Sequence, residues 1–292
     1  MKNFEIDNTL YLETTIDTGR KIIINNDFAE AEIYLFGGHL THFRPKNEEK
    51  IIFDGKESYV LPSKSAHFGI PICWPWFGPH PTDSSKPQHG FARNNLWRIQ
   101  KTKILSDGQT FVKLQLEENK ETLAIYPYAF KLEISFTIGK TLDIELTTHN
   151  TSNSIIQVTQ ALHNYFFVDE IQAVSIHGLE NTEFIDQLDK YKRKKEISPL
   201  QFTQKLDRIY IPTINTCEII DTQLKRKIIV SKNNSYCTVI WNPWKKNSLH
   251  DIGDEKYKKF ICVESANVKG DIITLNPGRS YTLIQKISLA HL

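Results

Sequence analysis

Two histidines, a glutamate and an arginine are the side chains of this sequence best suited to moving protons. His89 and Arg93 follow a proline-rich loop, and they would share a face if the stretch 88–93 were extended. His163 lies in a second segment of apolar and aromatic residues, and Glu264 follows the apolar run 260–263. A carboxylate with apolar neighbours loses hydration, which raises its pKa toward that of a useful base. These residue types therefore predict acid–base chemistry in a cleft.

Each of these residues also has an ordinary structural interpretation. A histidine on a strand most often makes a structural hydrogen bond, and a glutamate at a strand end is usually solvated. A single arginine most often joins a surface ion pair. From the residues alone, the sequence indicates a β-rich protein whose cleft carries His, Glu and Arg, and it leaves the reaction open.

The remaining histidines and the cysteines do not favour a metal site. His39 and His42 are three residues apart, and this spacing puts two side chains on opposite faces of a strand. His80 and His89 flank the end of the proline-rich loop without an H-E-x-x-H motif or clustered carboxylates. We expect no metal. The cysteines never form a C-x-x-C pair, so we expect buried, reduced thiols at Cys73, Cys217, Cys237 and Cys262.

The elements that must position these residues are strands. Residues 112–116, 131–138 and 142–148 alternate strictly between apolar and polar, which puts one face in a core and one in water. In 159–167 the same period puts His163 and Tyr165 on one face. Many strands and few helices predict an all-β antiparallel sandwich of one domain spanning 1–292. Further strands are predicted at 21–25, 31–36, 227–230, 237–241, 260–264, 272–275 and 281–287.

Two segments fall outside this pattern. The stretch 190–196 is the best helical candidate, but its charge favours a solvated loop, part of a surface excursion at 186–199. Between residues 71 and 90, five prolines predict a stiff, irregular loop, since proline fixes φ and lacks an N–H donor. Its aromatic residues either anchor the loop on the sheet or form a cleft wall, and both can hold. Aromatic rings suit a sugar, whose faces offer C–H groups. These rings belong to Trp74, Trp76 and Phe77.

The composition argues against nucleic-acid and membrane partners. The chain has 292 residues, 40% hydrophobic and 24% charged, with a net charge of +2. No strong field is available to hold a polyanion, so we expect no nucleic-acid partner. No run of about 18 apolar residues predicts a membrane span, and the N-terminus does not resemble a signal peptide. We therefore expect a cytoplasmic monomer that acts on a small molecule, without a membrane partner.

Several collinear segments together resemble one enzyme family, the aldose 1-epimerase superfamily. The likeness is greatest to its hexose-6-phosphate mutarotase branch, the glucose-6-phosphate 1-epimerases, and it runs from about residue 33 to 287. The segments are Gly37-Gly38-His39-Leu40, Gly69-Ile70-Pro71-Ile72-Cys73-Trp74-Pro75-Trp76-Phe77-Gly78, Gln88-His89-Gly90-Phe91-Ala92-Arg93 with Trp97, Ala161-Leu162-His163-Asn164-Tyr165-Phe166, Asp207-Arg208-Ile209-Tyr210, Trp241-Asn242-Pro243, Val263-Glu264-Ser265-Ala266-Asn267-Val268 and Leu275-Asn276-Pro277-Gly278.

The resemblance implies a galactose-mutarotase-like β-sandwich with a shallow polar cleft on one sheet and no cofactor. It implies that His163 is the general acid and Glu264 the general base in opening the sugar ring at C1–O5. The ring would reclose on the other carbonyl face, which exchanges the α and β anomers of a small-molecule sugar or sugar phosphate. Acid and base must hold different protonation states at one pH, so we expect a raised His163 pKa beside carboxylates.

The same resemblance implies the residues that bind the sugar. His89 and Asp207 would contact sugar hydroxyls or the ring oxygen. Arg93 would help to hold the phosphate of glucose 6-phosphate, the expected substrate. Gln88 and Trp241 would line the pocket.

One departure from the branch concerns the phosphate. Where the branch has Arg-Gly-Gly-Ile-Pro, this chain has His67 in place of the arginine. A guanidinium offers a permanently charged, bidentate fork, and histidine does not. Either Arg93 holds the phosphate with help from Lys64 or Lys86, or the substrate is not phosphorylated. His67 is kept as a candidate substrate-binding residue.

Three alternatives remain beside a hexose-6-phosphate mutarotase. One is a mutarotase of free aldoses or of another sugar phosphate, and another is a regulatory or carbohydrate-binding sandwich without catalysis. The presence of both His163 and Glu264 argues against the second. A lyase or glycosidase on this fold would need paired carboxylates, and only Asp207 offers a partner for Glu264.

Overall fold

Strands make up most of the protein. The computed structural model describes residues 4–15, 19–55, 67–245 and 255–292. The described residues form β1 (Leu10–Thr15), β2 (Gly19–Asn25), β3 (Ala29–Tyr34), β4 (His39–Pro45), β5 (Ile72–Cys73), β6 (Arg98–Ile104), β7 (Thr110–Glu117), β8 (Phe130–Ile138), β9 (Leu142–Asn150), β10 (Ile156–Val158), β11 (Gln160–Leu162), β12 (Tyr165–Phe167), β13 (Val174–His177), β14 (Glu183–Asp186), β15 (Lys192–Lys195), β16 (Leu200–Gln201), β17 (Leu206–Tyr210), β18 (Cys217–Asp221), β19 (Arg226–Asn233), β20 (Cys237–Asn242), β21 (Phe260–Asn267), β22 (Ile273–Leu275) and β23 (Ser280–His291).

Helices are few and short. The α-helix α1 (Lys120–Ile125) begins at a capping box, in which Asn119 and Thr122 exchange side-chain-to-backbone hydrogen bonds. The 3-10 helices of the described residues are Ala92–Asn94, Ile171–Ala173 and Lys256–Lys259. No helix in the described parts of the chain is long and apolar enough to cross a membrane.

Two large sheets dominate the architecture. One has nine strands in the order β16-β13-β18-β19-β23-β9-β8-β7-β6. The other has eight, in the order β15-β14-β17-β20-β21-β11-β5, with β12 also paired to β21. A four-stranded sheet β1-β2-β3-β4 and the pair β10-β22 complete the fold. The strand pairings within these sheets are antiparallel, as predicted.

A main core lies on one face of each large sheet. Ile134 and Phe136 of the nine-stranded sheet belong to the same buried cluster as Ile261 and Val263 of β21. The alternate residues of β21, Phe260 and Cys262, belong to a separate small cluster on the opposite face. The eight-stranded sheet therefore has an inner face that builds the sandwich and an outer face that is free to build a site.

The proline-rich loop is anchored by its tryptophans, and both interpretations of its aromatic residues hold. Trp74 is fully buried, and its indole N–H donates to the Thr148 hydroxyl at 2.9 Å. Trp76 is also buried and donates to the Pro87 carbonyl at 2.9 Å. Phe77 instead lines a cleft.

The alternating segments were predicted well and the charged segment was not. The predicted strands at 112–116, 131–138 and 142–148 are confirmed as β7, β8 and β9. The stretch 190–196 is not a solvated loop, because residues 192–195 form β15, which pairs with β14 in a hairpin. The charged side chains of β15 all point to solvent, so its sequence carries no apolar period. The four cysteines are buried and free, as expected.

Candidate active site

His163 and Glu264 are cross-strand neighbours on the outer face of the eight-stranded sheet. Leu162 on β11 pairs with Ser265 on β21, and Tyr165 on β12 pairs with Cys262. Continuing this register places His163 opposite Glu264, where side chains of an antiparallel pair meet. His163 Nε2 lies 3.3 Å from Glu264 Oε1, and the two residues are 8% and 1% exposed.

The interruption between β11 and β12 orients His163, and both strands keep the same pairing register with β21. The His163 N–H donates to the Pro71 carbonyl at 3.0 Å, outside the β21 ladder. The Asn164 amide points the other way and donates to the Val263 carbonyl and to Gln285 Oε1, both at 2.8 Å. Gln285 belongs to β23 of the nine-stranded sheet, so this buried amide ties the two sheets together directly behind the pair.

The electrostatics of the pair correct one expectation. Burial raises the pKa of Glu264 well above its ordinary value, and the Asp207 charge adds to this rise while Arg93 opposes it. Burial lowers the pKa of His163 well below its ordinary value, with His89 and Arg93 contributing. The predicted raised His163 pKa is therefore wrong, since desolvation and basic neighbours outweigh the carboxylates. Both shifts favour the neutral form of each group, a protonated Glu264 carboxyl beside a neutral His163 imidazole, so the pair carries one titratable proton.

The second histidine is held as a neutral hydrogen-bond donor. The Gly78 N–H donates to His89 Nδ1 at 3.1 Å, so the neutral imidazole carries its proton on Nε2. Burial, followed by the charges of Arg93 and His67, lowers the pKa of His89 to about 3. The His89 and His163 ring centroids are 5.7 Å apart.

The turn that carries His89 is not extended, which corrects the proposed shared face for 88–93. His89 and Gly90 both have left-handed backbones, with φ of +63° and +71°. Residues 92–94 then form a 3-10 helix, with Phe91 buried beneath it. His89 and Arg93 still reach the same cleft, because the turn brings them there.

Asp207 lies two strands from Glu264 on the same face. It pairs with Trp241 on β20, and β20 in turn pairs with β21. The Gln187 side-chain amide donates a short hydrogen bond to Asp207 Oδ1, and the Gln187 backbone N–H donates to the Asp207 carbonyl at 2.9 Å. Burial raises the pKa of Asp207 despite the amide donor.

These side chains line one cleft of about 750 Å³. Arg93 donates from Nη2 to the Gln88 carbonyl at 2.8 Å, and its buried Nε has no hydrogen-bond partner among the described residues. All of the predicted site residues line this cleft, and these are His67, Gln88, His89, Arg93, His163, Asp207, Trp241 and Glu264.

The structure tests one of the two lysines considered for the phosphate. Lys86 does not line the cleft, and its ammonium instead donates to the Ile125 carbonyl at 2.8 Å. Lys64 lies outside the described residues.

Sequence reasoning missed several lining residues. Tyr165 stacks on His163 with ring centroids 4.9 Å apart, and the period of 159–167 already placed both on one face. Phe77 belongs to the aromatic loop whose role was left open. Gln187 and Tyr191 gave no signal, since their segment was interpreted as solvated surface. Both line the cleft from the loop between β14 and β15.

His39 and His42 make separate contacts. His39 Nε2 contacts the Phe68 carbonyl at 2.9 Å in a buried position, and His42 Nδ1 lies 3.5 Å from Asp54 Oδ2. Within the described ranges, no three His, Cys, Asp or Glu side chains come close enough together to hold a metal ion.

A buried His–Glu pair lies in a polar cleft on the outer face of an antiparallel sandwich, and these two side-chain types can exchange protons with a ligand. The family model described as aldose 1-epimerase matches residues 20–288. The chain belongs to the aldose 1-epimerase family and is an isomerase.

Relatives and solved structures agree with this assignment. A protein of Cenchrus ciliaris with the provisional name glucose-6-phosphate 1-epimerase is 35% identical over 86% of this chain and 78% of its own length. A relative of the same provisional name from Escherichia coli K12 is 33% identical over 84% and 82%. The crystal structure of a provisionally named mutarotase from Salmonella typhimurium superposes with a TM-score of 0.91 at 29% identity, covering 99% of this chain and 96% of that one.

Proposed function

We propose that this enzyme interconverts the α and β anomers of a hexose 6-phosphate, glucose 6-phosphate in particular. The observation that carries the proposal is the buried His163–Glu264 pair, which faces a cleft that also holds Arg93. The names of the relatives from Cenchrus ciliaris and Escherichia coli support the same substrate.

The pair suits ring opening because both reacting oxygens are bonded to one carbon. Glu264 takes the proton of the anomeric hydroxyl, and His163 gives a proton to the ring oxygen as the C1–O5 bond breaks. Two groups that must reach O1 and O5 together have to lie side by side, and 3.3 Å between Nε2 and Oε1 meets that need. Rotation about C1–C2 then presents the other carbonyl face, and the two proton transfers reverse. Each group typically contributes about 10²–10⁴-fold to the rate.

The single titratable proton of the pair makes this exchange balanced. The pair begins with one proton and ends with one, since the proton that Glu264 gains equals the one that His163 gives. Burial favours the tautomer in which Glu264 is protonated and His163 is neutral. Transfer of that one proton from Glu264 to His163 gives the reacting carboxylate and imidazolium without changing the net charge of the pair. His89 donates from Nε2 to a sugar oxygen, Asp207 accepts from a hydroxyl, and Gln88 and Trp241 line the pocket.

Arg93 and His67 together hold the phosphate in this proposal. Both line the cleft, and both also act electrostatically on His89 and His163. Lys86 takes no part, because its ammonium is bound to a carbonyl elsewhere. His67 in place of the family arginine favours weaker binding of the phosphate, which makes free glucose the second candidate substrate.

Anomer exchange measured by NMR tests the proposal. The purified protein is added to glucose 6-phosphate and to free glucose, with His163→Ala as the control. Faster exchange on the phosphate, lost in the control, supports the proposal. Faster exchange on glucose alone would move the enzyme to free aldoses. Exchange at the uncatalysed rate on both sugars would overturn it in favour of carbohydrate binding.

We further propose that the protein is a cytoplasmic monomer of one domain. Its four buried free thiols suit a reducing compartment. One buried cluster runs from Leu10 to Ile287, which supports a single domain. Light scattering on the purified protein decides the oligomeric state, and a mass twice that of the chain would contradict the monomer.

A further inference from the structure

The site residues stand in a fixed order across the eight-stranded sheet. Asp207 on β17 is two strands from Glu264 on β21, about 10 Å at the usual strand spacing. His163 follows on the other side of Glu264. Beyond it lie β5 and the turn at His89, which is joined to β5 by the bridge between Trp74 and Gly90.

The order of groups around a hexose 6-phosphate is the same. The phosphate on C6 is followed by the ring oxygen, the anomeric hydroxyl and then the C2 and C3 hydroxyls. Under the proposed function, Arg93 and His67 hold the phosphate, His163 meets the ring oxygen and Glu264 meets the anomeric hydroxyl. The C2 and C3 hydroxyls are then directed toward Asp207.

The loop between β14 and β15 lies beyond Asp207 and is tied to it. Gln187 contacts Asp207 twice, from its side chain to Oδ1 and from its backbone N–H to the carbonyl. One carboxylate oxygen is thus committed to Gln187, which leaves the other to accept from a sugar hydroxyl. Gln187 therefore sets the direction in which Asp207 can accept.

Tyr191 is the last residue of the same loop, directly before β15, and it has an unusual backbone conformation. Its φ is +59°, a left-handed backbone that is rare for a bulky residue. It lines the cleft although it is 60% exposed, and the Lys269 ammonium lies 5.1 Å from its ring centroid. Lys269 follows β21, so the strand that carries Glu264 also holds this ring in place. Strained backbones of this kind often mark functional positions.

Two lysines of the hairpin are paired with its own carboxylates. Lys194 lies 2.7 Å from Asp186 and 2.9 Å from Asp189, and Lys192 lies 3.1 Å from Asp189. The hairpin residues that line the cleft are Gln187 and Tyr191, so the hairpin offers the cleft an amide and an aromatic ring.

We propose that the β14–β15 hairpin is the element that selects the sugar. In this role Gln187 is a positioning residue that aims Asp207, and Tyr191 packs against the sugar face at the C2–C3 end. The inference rests on the proposed function for its orientation of the substrate.

Two substrate ratios test it. The first compares kcat/KM for glucose 6-phosphate with that for mannose 6-phosphate, which differs only at C2. The second compares glucose 6-phosphate with glucose, which lacks the phosphate. Gln187→Met and Tyr191→Ala should lower the first ratio about tenfold and leave the second unchanged, because a contact at the hydroxyl end is lost. His67→Arg should leave the first ratio unchanged and raise the second, because it acts at the phosphate.

Two matched variants guard against a general loss of structure. Tyr191→Phe keeps the ring and should keep the first ratio, and Leu188→Ala changes an exposed residue of the same loop and should change neither ratio. An unchanged first ratio in both Gln187→Met and Tyr191→Ala would overturn the inference.

Failure of the proposed function is recognised separately. If the unaltered protein does not accelerate exchange, binding can be measured in place of catalysis. The affinities for glucose 6-phosphate and mannose 6-phosphate are compared in His163→Ala and in the double variant His163→Ala/Tyr191→Ala, and their ratio measures the discrimination at C2. Equal discrimination in both proteins would overturn the inference, and a loss of discrimination on removing the ring would support it.

Discussion

At the residue scale, the central feature is a carboxyl and an imidazole that carry one titratable proton between them in a buried site. Burial acts against every state in which the pair carries a net charge. The raised pKa of Glu264 and the lowered pKa of His163 are two expressions of this one effect. The pair can thus keep its single titratable proton over a wider range of pH than two solvated groups would.

A pH profile of kcat at saturating glucose 6-phosphate checks this. The ordinary pKa values of the two groups are 4.5 and 6.5. Because the pKa of Glu264 is raised and that of His163 is lowered, His163 sets the acid limit of the singly protonated pair and Glu264 sets its alkaline limit, with an interval between them. We expect kcat to stay flat across this interval and to fall only outside it. A bell with its limbs at the two ordinary values would contradict these shifts.

The same burial should weaken the fold. In the unfolded chain, Glu264 ionises near its ordinary pKa of 4.5, whereas in the folded protein its pKa is raised. The stability that the protonated carboxyl contributes is fully present below pH 4.5, the pKa in the unfolded chain, and is lost as the pH rises toward the raised pKa of the folded protein. Glu264→Gln should therefore raise the free energy of unfolding by about 1–2 kcal/mol at pH 7 while abolishing activity.

Urea denaturation at two pH values measures this effect. The gain in Glu264→Gln should disappear below pH 4.5, where the wild-type carboxyl is protonated in both states. A variant that is less stable than the wild type at pH 7 would show that the carboxylate is instead stabilised by its surroundings.

At the scale of elements, the turn at His89 depends on a glycine. A Cβ added at Gly90 would lie 2.0 Å from the Trp74 carbonyl oxygen, and the φ there is +71°. Gly278 has a similar φ of +73°, but a Cβ added there would meet nothing within 4 Å. A side chain at Gly278 would meet only the penalty of a left-handed backbone, whereas one at Gly90 would also collide with Trp74.

Alanine substitutions at the two positions should therefore differ. Gly278→Ala should cost about 1 kcal/mol of stability and leave kcat unchanged, because only the left-handed backbone is penalised. Gly90→Ala must also displace the turn that carries His89 and Arg93, so it should lose more stability and reduce kcat/KM. Equal effects on thermal stability and activity in the two variants would contradict a role for the close contact at Trp74.

The sequence predicted some elements far better than others. The alternation in 131–138 identified β8, because one side of that strand is in the core and the other in water. The hairpin of β14 and β15 was missed, since β15 is exposed on all its residues and its partner is short. Gln187 and Tyr191 were missed with it. Their neighbours in space, Asp207 and Lys269, are distant in the chain and no local pattern records the contact.

The sequence motifs identified the site residues, but they did not predict the direction of the His163 pKa shift. All eight predicted residues line one cleft. The His163 pKa was assigned the wrong direction, because the chain shows which residues are adjacent in sequence but not which charges the fold brings near. His89 and Arg93 are 70 or more positions from His163, and they help to set its protonation.

At the scale of the whole molecule, a single buried cluster joins the sheets. It includes Leu10 near one end of the chain and Ile287 near the other. The amide of Asn164, bonded to Gln285 across the sheets, adds a polar tie within that interior. No described part of the sandwich has a core to itself that is comparable in extent.

Unfolding should consequently be cooperative. Tryptophan fluorescence, far-ultraviolet circular dichroism and mutarotase activity should be lost at the same urea concentration, because the site strands share the core of the nine-stranded sheet. A loss of activity and fluorescence well before the loss of circular dichroism would instead reveal two independently stable parts.

The alternation within β21 restricts how this enzyme can diversify. Ile261 and Val263 belong to the interior, while Cys262 and Glu264 belong to the outer face, where Glu264 lines the cleft. Adding or deleting one residue before Glu264 would exchange the two sets, since strand side chains alternate with a period of two. Among natural descendants of this gene, lineages can accumulate replacements at these positions, but single-codon insertions and deletions within the strand should be purged.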